Sequence, residues 1–149
     1  MKILVPVDGS AHSLKALDVA ADFAKTGKAE IYVISVVASI GGMEDHEISP
    51  HWRERHEKSL EELAGKAIKA AREVLESRKV DVWFARMVST AVSVPDAIVD
   101  FAEAEKIDLI VMGSRGLSPS SRIRMGSIAY HVTKYSPCSV YLVKIPVAP

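Results

Sequence analysis

Short apolar runs alternate with longer amphipathic stretches along the whole chain. Lys2–Val7 is apolar at almost every position, as expected of a strand buried on both faces. Asp8-Gly9-Ser10 ends it, and Ser10 is a good N-cap for a helix carrying Leu14, Leu17, Ala21 and Ala24, with Gly27 as C-cap. Glu30–Ala38 is rich in β-branched residues and predicts a second strand. Residues 39–56 break the pattern and read as a loop running into a helix over Arg53–Ser77. One stripe of that helix holds Leu60, Leu63, Ala64, Ala67, Ile68, Ala71 and Leu75, and charges fill the rest. Val80–Val88 predicts the third strand. Pro95 suits the first turn of a helix over Asp96–Lys106. Ile107–Met112 predicts the fourth strand, a helix follows from about Ser127 to Pro137, and Cys138–Ile145 predicts the fifth strand.

The resulting order, β-α-β-α-β-α-β-α-β, implies an α/β fold with a parallel sheet and helices on both faces. The 149 residues are expected to form one domain, 1–149, with no repeat and no linker that would divide it. In open sheets of this class ligands bind beyond the C-terminal strand ends, where the strand order switches direction. If strands one and four are neighbours, Asp8-Gly9-Ser10 and the segment after Met112 face each other across that crevice.

Charge changes the picture in one place. The chain is formally neutral, which argues against a general nucleic-acid or membrane-surface binder. From Leu109 onward, however, there is no Asp or Glu, while Arg115, Arg122, Arg124, Lys134 and Lys144 are basic. A solvated face would explain them, and so would an anion site. No run approaches the ~18 apolar residues of a membrane span. A single cysteine, Cys138, excludes an internal disulfide and fits a reducing cytoplasm.

That basic half contains the candidate chemistry. Gly113-Ser114-Arg115-Gly116, nine further residues, then Gly126-Ser127 link a strand to a helix start. Glycines allow close backbone approach to an anion, and the first N–H groups of a helix then point at it. An ordinary β–α connection with Ser127 as N-cap accounts for the same spacing. No Walker loop and no dinucleotide fingerprint is present. Asp8, ending the first strand, suits a ribose hydroxyl or a phosphate-bound metal, and equally an Asx-turn. His46, His51 and His56 recur at steps of five, which places them on different helix faces; no metal site is expected. His12 reads as an exposed helical residue; His131, one turn after Ser127, suits an exposed helical position first and the border of a phosphate site second. No nucleophile elbow occurs, and Cys138 lacks a helix N-terminus to activate it. A binding site is more evident than a catalytic one.

Gly113-x2-Gly116-x9-Gly126-Ser127, together with Ile3-Leu4-Val5-Pro6-Val7-Asp8-Gly9-Ser10, resembles the universal stress protein family. Asp108–Gly116 and Pro137-Cys138-Ser139-Val140 are further family-like segments. The resemblance implies an open five-stranded sheet of order 3-2-1-4-5, of adenine nucleotide α-hydrolase type. It implies ATP, ADP or AMP binding, with Mg²⁺ accompanying the phosphates. Pro6, Val7 and Val36 would line the adenine pocket, with Asp8 at the ribose or adenine and Gly113 near the ribose. Met112, Gly116, Gly126, Ser127 and Ile128 would surround the phosphates, and Arg115 would reach one of them. It further implies a homodimer through the strand at 138–145, an unidentified protein partner, and a stress-signalling role without robust catalysis. A dimeric adaptor that binds no ATP and a slow ATP-hydrolysing enzyme are the alternatives. The chain departs from the family pattern at Val92–Pro95, at Pro119 with its flanking serines, and at Ala129, where a hydroxyl is usual.

Overall fold

The computed structural model describes residues 1–39, 50–117 and 124–146. Five strands, β1 (Lys2–Pro6), β2 (Glu30–Ala38), β3 (Val82–Thr90), β4 (Leu109–Gly113) and β5 (Ser139–Val143), form one parallel sheet. Its order is β3-β2-β1-β4-β5. The connecting helices are α1 (Ala11–Thr26), α2 (Pro50–Ser77), α3 (Val94–Ala104) and α4 (Ser127–Tyr135). The expected α/β fold and strand order are therefore present, with β1 and β4 adjacent.

Alternation along the strands divides the interior into two layers. Ile3, Val5, Ile31, Val33 and Val111 pack under α1 and α2 against Leu17, Ala20, Ala71 and Leu75. Leu4, Tyr32, Ile34, Ile110 and Met112 face the other way, onto Ile98, Ala102, Ala129 and Val132 of α3 and α4. Burial on both faces explains why β1, β2 and β4 read as continuous apolar runs.

Several boundaries differ from the sequence pattern, for physical reasons. Val80 and Ile107 look like the first residues of strands but belong to helix ends. Val80 N–H donates to Leu75 O at 2.9 Å, and Ile107 N–H donates to Ala102 O at 2.9 Å. The residues before them, Lys79 and Lys106, have φ of 56° and 55°. These are Schellman ends, in which an apolar residue just beyond the cap folds back on the last turn. Lysine at the left-handed position, where glycine is usual, hides the signal. β3 and β4 consequently begin two residues later than the pattern suggests. α2 begins at Pro50, a first-turn proline, ahead of the expected Arg53, so His51 is helical as well as His56. His46 lies outside the described residues. Leu63 falls on the flank of the α2 stripe and is 54% exposed, whereas Ala64, Ala67, Ala71 and Leu75 are buried.

Candidate functional site

The loops after β1 and β4 meet at the C-terminal edge of the sheet. In the first, Asp8 Oδ1 accepts Ser10 N–H at 2.8 Å, the Asx-turn expected of this residue. Gly9 follows with φ +83°, a conformation that favours glycine. Ser10 Oγ accepts Ser13 N–H at 3.2 Å and caps α1, while Ser13 Oγ donates to Ser10 O. Both serines are buried. The polar groups of this turn are thus satisfied internally, and the carboxylate of Asp8 is held at the crevice.

The second loop leaves β4 at Gly113 and returns at Gly126. Its two ends are tied by Gly126 N–H donating to Ser114 O at 2.6 Å, and Ser114 N–H donates to Val143 O at 2.9 Å. The glycines serve different purposes. A Cβ on Gly113 would lie 2.6 Å from His12 Cβ and 2.9 Å from His12 C, so glycine here lets β4 pass under α1. A Cβ on Gly116 would come within 2.9 Å of Asp8 Oδ2, which places that carboxylate directly across from the loop. At Gly126 a Cβ would meet Arg115 Cα and Ser114 O at 3.6 Å, ordinary contact distance. Packing therefore does not require glycine at 126.

Gly126, and not Ser127, is the N-cap of α4, and it provides no side-chain cap. The first intrahelical bond runs from Tyr130 N–H to Gly126 O at 3.0 Å. The N–H groups of Ser127, Ile128 and Ala129 have no acceptor within the helix. These three residues line a cavity of about 840 Å³ that lies between the two loops. α1 and α3, by contrast, are capped by Ser10 and Ser93.

All of the residues singled out from the sequence line that one cavity: Pro6, Val7 and Asp8 from β1 and its turn, Val36 from β2, Met112 and Gly113 from β4, then Arg115, Gly116, Gly126, Ser127 and Ile128. Leu117, Met125, Val94 and Ile98 add apolar walls. The sequence ranks an exposed position for His131 above one at the site, and the structure places it on the cavity. It is half-buried on the same wall, and its Nε2 lies 2.8 Å from Asp96 Oδ1. Asp96 Oδ2 accepts Ser93 Oγ–H at 2.7 Å. The Ser93 hydroxyl and then His131 hold the Asp96 carboxyl below the usual carboxylate range. The Ser93-x-x-Asp96 spacing of a capping box was legible; its partner thirty-five residues on was not. Ala129 is 2% exposed and packs in the α3–α4 layer.

Among the described residues no cluster of His, Cys, Asp and Glu could hold a metal ion. Asp8 is the one carboxylate on the cavity wall among them. Nor is any helix among them long and apolar enough to cross a membrane. β5 pairs with β4 on one side only and forms one edge of the sheet.

A doubly flanked parallel sheet with a glycine-lined crevice at the β1/β4 switch point defines a class of α/β binding domains. The chain belongs to the universal stress protein family, whose model matches residues 1–144. The universal stress protein MJ0531 of Methanocaldococcus jannaschii is 35% identical over 97% of this chain and 82% of its own length. YxiE of Bacillus subtilis is 28% identical over 96% of this chain and 98% of its own. Among solved structures, UspA from Lactobacillus plantarum superposes with a TM-score of 0.78 at 25% identity, covering 96% of this chain and 97% of that one. The protein MJ0577 superposes with a TM-score of 0.79 at 27% identity, covering 99% and 97%.

Proposed function

We propose that this chain binds an adenine nucleotide, ATP accompanied by Mg²⁺, in the crevice between Asp8 and the start of α4. The observation that carries the reading is the N-terminus of α4, whose N-cap is a glycine without a side-chain cap. Among the described residues no side chain caps its first three N–H groups, the residues that carry them line the cavity, and the glycine before them is not required by packing. A phosphate oxygen is the natural acceptor for such a set, strengthened by the helix dipole. Asp8, with one oxygen engaged by Ser10, offers the other to a ribose hydroxyl. Pro6, Val7 and Val36 supply an apolar wall for the base. The same fold holds cAMP in one solved universal stress protein and dAMP in that of Archaeoglobus fulgidus, at 21% and 23% identity. Those structures support the capacity of the fold; the argument for this chain rests on its own cavity.

In this reading the nucleotide is a signal. ATP turnover stays at the level of a Gly126→Val control, and two copies associate along the β5 edge, which would cover an open strand. Ala129, buried and without a hydroxyl, favours a second reading, a dimeric adaptor that binds no nucleotide.

Thermal melting separates the two. At ATP a hundredfold above its Kd, linkage gives about 2.7 kcal/mol of stabilisation, or roughly 5–10 °C in Tm. Gly126→Val crowds the space between the two glycine segments and removes the shift, and Gly126→Ala weakens it. Melting indifferent to millimolar ATP and ADP overturns the nucleotide reading and leaves the adaptor.

A further inference from the structure

His131 is a cavity-lining side chain with a dedicated partner on another helix. It follows Ser127 by four residues, so the two share one face of α4. Its imidazole is 33% exposed. Asp96 is fixed at both oxygens, one by Ser93 Oγ–H at 2.7 Å and the other by His131 Nε2 at 2.8 Å. Ser93 is itself fixed, since its Oγ accepts Asp96 N–H at 3.3 Å. An ionised carboxylate only accepts hydrogen bonds, so Nε2 must carry a proton. Nδ1 is then the nitrogen left for another group. Among the described residues the ring makes no second hydrogen bond; its other contact is the Tyr135 ring, at 4.7 Å. A carboxylate that sets the tautomer and orientation of a histidine is the usual arrangement where the far nitrogen has a task.

We infer that His131, oriented by Asp96, is a phosphate-recognising residue of this cavity, meeting the phosphate chain of the ligand as an imidazolium through Nδ1. The inference rests on the nucleotide reading above. Asp96 is a positioning residue, and Ser93 positions Asp96 in turn. The charged and titratable groups around the ring can be placed. α3 contributes Asp96, with Asp100 one turn further on. α4 contributes Tyr130 and Tyr135, and Lys134, whose Nζ lies 5.4 Å from the Tyr135 ring centre. Asp8 and Arg115 line the same cavity. A polyphosphate at Nδ1 favours the charged ring, so ATP binding takes up a proton and is tighter at pH 6 than at pH 8.

The test is calorimetric titration of the full chain with adenosine, AMP, ADP and ATP at pH 6 and pH 8, in two buffers of different ionisation enthalpy. Wild type should take up a proton with ATP beyond that taken up by His131→Ala. His131→Ala and His131→Gln should each lose about tenfold or more in ATP affinity, less for AMP, and under about threefold for adenosine. Asp96→Asn should keep part of the affinity and move the pH profile. Ligand-free melting controls for folding, and where His131→Ala melts lower, His131→Gln decides. Wild type that binds none of the four overturns the nucleotide reading and this one with it. Variants that bind ATP as wild type does, or that lose affinity equally for all four ligands, overturn this inference alone.

Discussion

The two loops that face each other across the cavity are built on opposite plans. The turn after β1 closes on itself: Asp8 takes the Ser10 N–H, Ser10 takes the Ser13 N–H, and Ser13 donates back to Ser10 O. The loop after β4 is tied at its ends by Gly126 N–H to Ser114 O, and Gly126, the N-cap of the helix it leads into, provides no side-chain cap. Both are β–α connections on the same sheet edge, so the difference is not one of fold. A self-satisfied turn gives rigidity and a fixed carboxylate. An unsatisfied helix start leaves its donors for something that is not part of the chain. Sites of this kind pair a rigid wall with an open one, and polar groups left bare by the fold mark where the ligand belongs.

The largest effect is expected at Gly113, where the requirement is packing and not ligand. Gly113→Val places a Cβ inside contact distance of the His12 backbone, and overpacking of this kind costs about 2–3 kcal/mol. The expected fall in Tm, roughly 4–12 °C without ligand, is read by thermal melting. An unchanged Tm would mean that α1 is free to move away from β4. Ser10→Ala comes next. It removes the cap of α1 and leaves the Ser13 N–H without its acceptor, at about 1 kcal/mol, a fall of some 2–4 °C.

Gly126→Ser sharpens the comparison, because it converts the open plan toward the closed one. The backbone at 126 has φ −73° and ψ 161°, as an N-cap serine requires, and a Cβ there has room. A serine hydroxyl would accept one of the bare N–H groups and stabilise the ligand-free protein by a few tenths of a kcal/mol. It would also compete with phosphate for that group. Higher ligand-free Tm combined with weaker nucleotide binding is the expected result. Higher Tm with binding unchanged would show that the helix start is not where the phosphate sits.

Most of this architecture was legible in the sequence, and the parts that were not have identifiable causes. β2 matches its pattern residue for residue, and Ser10 and Pro95 mark helix starts as expected. These signals are local, set by a few adjacent residues. The cavity-lining set came from glycine spacing together with the family resemblance, and every one of those residues lines the one cavity. The β3 and β4 starts were misplaced by one shared device, a lysine in the left-handed cap position. The Asp96–His131 pair was invisible because nothing periodic connects residues thirty-five apart. It exists only once α3 and α4 pack side by side. The purpose of Gly113 was hidden in the same way, since a packing glycine and a phosphate-loop glycine look alike in one dimension.

The smallest effect concerns that long-range pair, and its sign follows from which protonation state the fold favours. Ser93 and His131 both hydrogen-bond the ionised form of Asp96, and its pKa in the folded protein is lowered from 3.8. A depressed carboxylate contributes stability that is present above its unfolded pKa, near 3.9, and disappears as pH falls through its lower folded value. Asp96 is on the surface, so the contribution is small and salt-sensitive. Wild type should therefore exceed Asp96→Asn in stability between pH 7 and about pH 5. The margin should shrink below about pH 4 as the carboxylate takes up its proton. Denaturant unfolding of the two proteins across that range measures it. A margin that instead survives to pH 2 would mean that the α3–α4 contact is held by shape alone, and the open wall of the cavity would then owe nothing to the charge behind His131.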